Sequence, residues 1–277
     1  MLSAVRKSAV ATAFVLFVLA FAVPLDAEEI QLEGRFIQGG LVRGAAPPET
    51  SIMLDGRQLR LSPEGYFVFG FGRDALPRAV LAVSYPDGRQ EARSLAIAAR
   101  DYRIQHIDGL PEKLVTPPLE ILNRIREEGA KVSQARAFDT AEMHVFAPFI
   151  WPARGPISGV YGSQRILNGK PRQPHFGVDI AAPTGTPVRA PAGGEIRLAE
   201  TALYYSGGTV ILDHGHGLSS SFLHLSRIDV AVGQQVVQGE LIGEIGATGR
   251  VTGAHLDWRM NWFERRLDPA FLVGPQE

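Results

Sequence analysis

The sequence predicts a mostly β protein. A small antiparallel, sandwich-like N-terminal domain leads through a linking helix to a C-terminal domain built on a β-sheet core. Three observations carry this reading. The 277 residues include 30 glycines and 19 prolines, so tight turns are frequent. Short apolar runs with period-two alternation recur between those turns. One stretch, roughly residues 116–137, shows helical spacing behind a recognisable start signal.

At the N-terminus, Arg6 and Lys7 precede an uncharged, almost wholly apolar run from Ser8 to Val23. Pro24 breaks the run, and Ala27 ends a small-residue cleavage site before Glu28 and Glu29. Residues 1–27 therefore read as a signal peptide. The run is short for a membrane span, which needs about 20 apolar residues. The expectation is an exported chain in the periplasm or cell envelope, with no membrane span once the signal is cleaved.

Residues 28–112 read as the N-terminal β domain. Ile30 to Glu33 alternates apolar and polar. Ile52-Met53-Leu54 runs into Asp55-Gly56, a hairpin signal. Tyr66 to Phe71 follows the turn Ser62-Pro63-Glu64-Gly65, and Val80 to Tyr85 meets Pro86-Asp87-Gly88. His106 stands alone here and is read as structural. Residues 113–145 form the linker, with Thr116 as cap and Pro117 in the first turn. Leu119, Ile121, Leu122, Ile125 and Val132 give the helix an apolar stripe, and Arg124, Arg126, Glu127, Glu128 and Lys131 suit its wet side. Residues 146–277 return to short apolar runs: Val188 to Ala190, Glu195 to Leu198, Thr209 to Leu212, Leu241 to Ile245.

Composition narrows the chemistry. A net charge of -1 without a basic stripe gives no electrostatic case for nucleic acid. With no cysteine, disulfides and thiolate chemistry are excluded, and a metal site must use His, Asp or Glu.

Three fragments hold the candidate residues. His175 and Asp179 lie four apart in a segment flanked by Pro174 and Pro183 with Gly177 between them, which disfavours a helix. In extended chain an even spacing puts both side chains on one face, where imidazole and carboxylate serve as zinc ligands. His255 and Asp257 are two apart, with Leu256 turned to the core between them. Asp213 to Gly217 reads as a hairpin turn. His224 follows on the next strand, where Leu223 and Leu225 set it to face away from the core. His214 and His216 sit in the turn, where histidines are usually solvated, and are given no role. Each fragment alone is ordinary: a surface histidine with a turn aspartate, or a strand with a polar face.

In combination and order, the fragments resemble the lysostaphin/LytM-type zinc endopeptidases, which cut peptidoglycan peptides. The resemblance covers residues 151–269. It also rests on Ile180 to Val188, Val232-Gly233-Gln234-Gln235-Val236, and Thr248-Gly249 before Gly253-Ala254-His255-Leu256-Asp257. It implies a β-sheet core with a groove, one zinc ion, and a peptidoglycan peptide as substrate. It implies His175, Asp179 and Asp257 as metal ligands, and His224 and His255 as catalytic residues flanking the open coordination position. One position departs from the family pattern: Asp257 stands where a second histidine is usual. Aspartate also binds zinc, but two carboxylates would neutralise the ion's charge and weaken it as a Lewis acid. Relatives that lose ligands act as modules that bind the wall or activate an amidase, so a cell-envelope protein is the alternative partner.

Overall fold

The computed structural model describes residues 29–107 and 121–276. The expected signal segment and the expected cap at Thr116-Pro117 lie outside the described residues. The N-terminal half contains β1 (Gln31–Gly34), β2 (Leu41–Ala45), β3 (Ser51–Leu54), β4 (Arg57–Gln58), β5 (Tyr66–Gly70), β6 (Arg78–Ser84), β7 (Gln90–Ala96) and β8 (Ile104–Ile107). They form an antiparallel sheet β1-β2-β5 and another in the order β4-β3-β6-β7. The Asp55-Gly56 hairpin appears between β3 and β4, both residues having positive φ (48° and 83°). That twist matches the right-handed twist of the flanking strands. Alternation places Ile52, Leu54, Ala79, Leu81 and Val83 in the core, where they join Phe67 and Phe69 from the other sheet.

The helix α1 (Leu122–Arg136) ends one residue before Ala137. Its apolar side is as expected in part: Val132 and Ala135 pack on Leu198, Leu203 and Ile211. The wet side differs. Arg124 pairs with Glu128 at 2.6 Å and also donates to Ala202 O, the backbone N–H of Tyr204 donates to Glu128, and Lys131 reaches Glu200 at 2.8 Å. These polar contacts fasten the helix to the sheet alongside its small apolar stripe.

The C-terminal half contains β9 (Ile157–Gly159), β10 (Gln164–Leu167), β11 (Lys170–Pro171), β12 (Gly177–Ala181), β13 (Pro187–Arg189), β14 (Gly194–Leu203) and β15 (Gly207–Gly215). Then follow β16 (Leu218–Ile228), β17 (Gln235–Val236), β18 (Leu241–Ile245), β19 (His255–Trp262) and β20 (Arg265–Leu267). Ten of these strands form one sheet, whose main path is β17-β14-β15-β16-β19-β12-β9. One face is apolar: Val178, Ile180, Phe222, Leu256, Trp258, Met260 and Trp262 are buried. The opposite face carries Asp179, Ser221, Asp257 and Arg259, as the strand registers dictate. α1 packs on this polar face through Ile211, whose strand partner is Ser221.

The two halves share one hydrophobic cluster. β8 pairs in parallel with β10, His106 lying exposed opposite Ile166. Arg43 donates to Val145 O, Arg60 pairs with Asp139, and Arg100 pairs with Asp268.

Candidate metal centre and active site

β12 and β19 run antiparallel with Asp179 directly opposite Asp257 and Ala181 opposite His255. Facing residues in such a pair share one side of the sheet. His175 precedes β12 in a segment pinned by two backbone hydrogen bonds: its N–H donates to Ser163 O, and its carbonyl accepts from Gly162, each at 2.8 Å. As a result one donor atom each from His175, Asp179 and Asp257 lie within 4.8 Å of one another.

Two glycines make room for the carboxylates. A Cβ on Gly159 would sit 2.1 Å from Asp179 Oδ2, and one on Gly177 would sit 2.4 Å from Asp257 Oδ1. Neither contact is compatible with the present carboxylate positions.

The residues fit a cation. His175 Nε2 and Asp179 Oδ1 are buried and 3.2 Å apart, within ion-pair reach, yet neither atom makes a hydrogen bond of good geometry. Buried polar atoms without a hydrogen bond are costly, and an ion between them would satisfy both. Burial works against a charged His175, but the carboxylates of Asp179 and Asp257 outweigh it and raise its pKa. Burial would raise the pKa of Asp257, which is 2% exposed, yet the adjacent Arg259 guanidinium holds it below the usual carboxylate range. Arg259 Nε lies 3.0 Å from both oxygens of Asp257, and its Nη2 also donates to Oδ2. A group so placed orients a metal ligand from behind.

His224 and His255 form a ring pair with centroids 4.9 Å apart. His224 Nδ1 donates to Thr248 O and His255 Nδ1 donates to Gly253 O, each at 2.9 Å. A carbonyl only accepts, so each neutral ring keeps its proton on Nδ1 and leaves Nε2 with a free lone pair. His255 Nε2 is 3.8 Å from Asp179 Oδ1, beside the ligand cluster. Burial lowers the pKa of His224, only partly opposed by the Thr248 carbonyl.

The route by which His224 reaches this place differs from the expectation. Leu223 pairs with Asp257 and shares its face, so simple alternation would turn His224 towards the core. Instead His224 has φ 68°, and β16 exchanges β19 for β18 as partner beyond it. The left-handed residue breaks the alternation and swings the ring to the polar side. The loop carrying Thr248-Gly249 accepts it. Thr248 Oγ1 donates to Leu225 O and accepts from the N–H of Gly208, and Gly207 has no room for a Cβ against Thr248.

The two turn histidines are also corrected. Neither is solvated. His216 has φ 51° in the turn, its N–H donates to Thr140 O, and its ring meets Phe146 and Arg60 O, so the segment after α1 covers it. His214 is fully buried on the apolar side. Its Nδ1 donates to Gly193 O at 2.7 Å and Nε2 accepts from Ser220 at 2.8 Å. Burial pushes its pKa down to about 4. It is a neutral core histidine, remote from the ligand face by strand parity.

Sequence reasoning missed three arginines. Arg259 continues the His255, Asp257 alternation by two and was legible from spacing. Arg266 lies opposite Asn261 in the β19–β20 pair and donates to its side chain at 3.2 Å. Arg136 comes from the last turn of α1 and donates to Ser221 Oγ at 3.0 Å. No local pattern connects these two to the centre.

Residues 173–269, the stretch that holds all five candidate residues, match Peptidase family M23. These residues form an M23 peptidase domain. Over 161 residues the chain is 34% identical to the Cell division protein DipM of Caulobacter vibrioides, covering 58% of this chain and 25% of that protein. Over 87 residues it is 42% identical to the Peptidoglycan DD-endopeptidase ShyA of Vibrio cholerae, covering 31% of this chain and 20% of that one. The matched segments thus span a quarter or less of these relatives' own length. A solved structure assigned to peptidase M23 from Pseudomonas aeruginosa aligns over 87% of this chain and 96% of its own, at 28% identity and TM-score 0.64. The likeness to that structure extends beyond the M23 domain into the N-terminal half.

Proposed function

We propose that the protein is an exported, zinc-dependent endopeptidase that hydrolyses peptide bonds in the stems or cross-links of peptidoglycan. The observation that carries this reading is the convergence of His175, Asp179 and Asp257 on one spot beside the His224–His255 pair. The M23 match and the relative named as a DD-endopeptidase support the choice of substrate. Export rests on the sequence of residues 1–27. Among the described residues no helix is long and apolar enough to cross a membrane.

His175, Asp179 and Asp257 would hold one zinc ion, which supplies Lewis-acid polarisation of the scissile carbonyl and a nucleophile at neutral pH. The remaining roles belong to the chain. The Nε2 atom of one of the two, His224 or His255, accepts a proton from the attacking water and returns it to the leaving amine. The protonated ring also steadies the carbonyl oxygen as negative charge develops there. Their Nδ1–H bonds to Thr248 O and Gly253 O hold both rings in the required tautomer before substrate arrives.

A second reading is a non-catalytic module that binds the wall or activates an amidase. Asp257 favours it, because a carboxylate stands there where the family pattern has a second histidine. Zinc analysis of the purified protein with digestion of purified peptidoglycan separates the two, using wild type and His175→Ala. Stoichiometric zinc and hydrolysis, both lost in the variant, support the enzyme. Wall binding without zinc or hydrolysis supports the module.

A further inference from the structure

The polar face of the large sheet carries more positive charge beside the metal centre than its own carboxylates neutralise. Arg259 is committed to Asp257. Arg266 stands on the same face, bonded to Asn261, two residues along β19 from Arg259. Arg136 enters from α1 and bonds to Ser221, the direct strand partner of Arg259. Neither Arg136 nor Arg266 forms an ion pair with a carboxylate among the described residues. Arg136 Nε is buried without any hydrogen-bond partner. Asp257 is the carboxylate near both, but it is already paired with Arg259, and a half-buried guanidinium without an anion of its own is an unfavourable arrangement unless one completes it. Burial first, and then repulsion from the neighbouring guanidiniums, only partly opposed by Asp257, lowers the pKa of Arg136 and takes Arg266 to about 10.

We propose that Arg136 and Arg266 form a carboxylate-binding subsite next to the metal centre that takes a free carboxylate of the peptide substrate. Guanidinium groups suit this because their fork of N–H donors matches a carboxylate in two-point contact. A carboxylate seated there would fix which part of the peptide lies over His175, Asp179 and Asp257. The scissile bond would then be set by its distance from that anion. The linking helix thus contributes a specificity-determining residue. This inference rests on the peptidase reading, because it names a feature of that reading's substrate.

The test is equilibrium binding of two families of cross-linked muropeptide to the full chain, followed by fluorescence anisotropy. In one family the C-terminal carboxylate is free or amidated. In the other, the side-chain carboxylate of the stem is free or amidated. Amidation of one of the two should weaken binding to wild type about tenfold or more, the scale of a lost charge-assisted contact. In Arg136→Gln and Arg266→Gln the acid should bind no better than the amide. Which amidation matters identifies the source of the carboxylate. The wild-type comparison needs no variant, so it stands even if a substitution disturbs folding. Equal binding of acid and amide in both families overturns the subsite while leaving the peptidase reading intact. Absence of binding by every peptide overturns both.

Discussion

Asp257 and Arg259 face the same way on one strand, two residues apart, and the guanidinium bridges both oxygens of the carboxylate. The pair is formally neutral. As a metal ligand, Asp257 would bring a charge already balanced, as a neutral histidine would. His175, Asp179 and the Asp257–Arg259 unit together sum to one negative charge, the same as two histidines and one aspartate. We propose that this balance keeps a second carboxylate from draining the charge of a bound metal.

Arg259→Gln separates this pair without removing a ligand. Asp257 is then a buried carboxylate without its cation, and breaking such a pair costs about 3 kcal/mol. The metal-free variant is expected to melt several degrees below wild type, and zinc should raise its melting temperature more than it raises that of wild type. Thermal unfolding with and without zinc checks this. Equal zinc responses in the two proteins would count against charge balancing.

Asp257→His restores the family ligand but leaves Arg259 unpaired beside the ion. The double change Asp257→His with Arg259→Gln is expected to hydrolyse peptidoglycan at least as fast as wild type, and faster than Asp257→His alone. Turnover in saturating zinc measures it. If wild type is inactive and the double variant gains hydrolysis, the present protein works as a binding or activating module.

Gly159→Ala and Gly177→Ala test the cradle. The added Cβ would meet Asp179 Oδ2 at 2.1 Å in the first variant, so that carboxylate must move; in the second it would meet Asp257 Oδ1 at 2.4 Å and Trp258 O at 2.6 Å, so the facing backbone of β19 must shift as well. Zinc affinity should fall by about 10–100-fold, the usual consequence of disturbing what supports a ligand. Calorimetric titration reads the affinity, and circular dichroism should show the sheet retained.

His224→Ala and His255→Ala should leave zinc stoichiometry at one per chain while turnover falls by roughly two or more orders of magnitude. Loss of zinc in either variant would place that histidine among the ligands instead.

His214 gives a stability signature separate from activity. Its folded pKa of about 4 lies below the ordinary 6.5. Above about pH 6.5 the ring is neutral in both states and contributes no pH dependence. Below it the unfolded chain takes up the proton first, so stability is lost as pH falls towards about 4. The contribution lost is on the order of 3 kcal/mol. Urea unfolding across this window should show a slope shallower by up to one proton in His214→Gln.

The sequence by itself determined the strands, the hairpin at Asp55-Gly56 and the placing of His175 with Asp179 and of His255 with Asp257 on shared faces. Each of these depends on spacing within one segment: residues two or four apart in extended chain share a face, and Asp-Gly supplies the positive φ that a tight hairpin needs. The same parity placed Asp257 and would have placed Arg259. Tertiary structure decided the rest. His224 faces the centre because its backbone turns left-handed where β16 changes partners, a choice made by β18 and the Thr248 loop. His214 and His216 are buried because Phe149, Phe146 and the segment after α1 lie over them. Arg136 reaches the centre because α1 packs on the polar face of a sheet whose nearest strand begins about sixty residues later. Such contacts join residues far apart in the chain. Their energy comes from burial and ion pairing between elements, which no local pattern records.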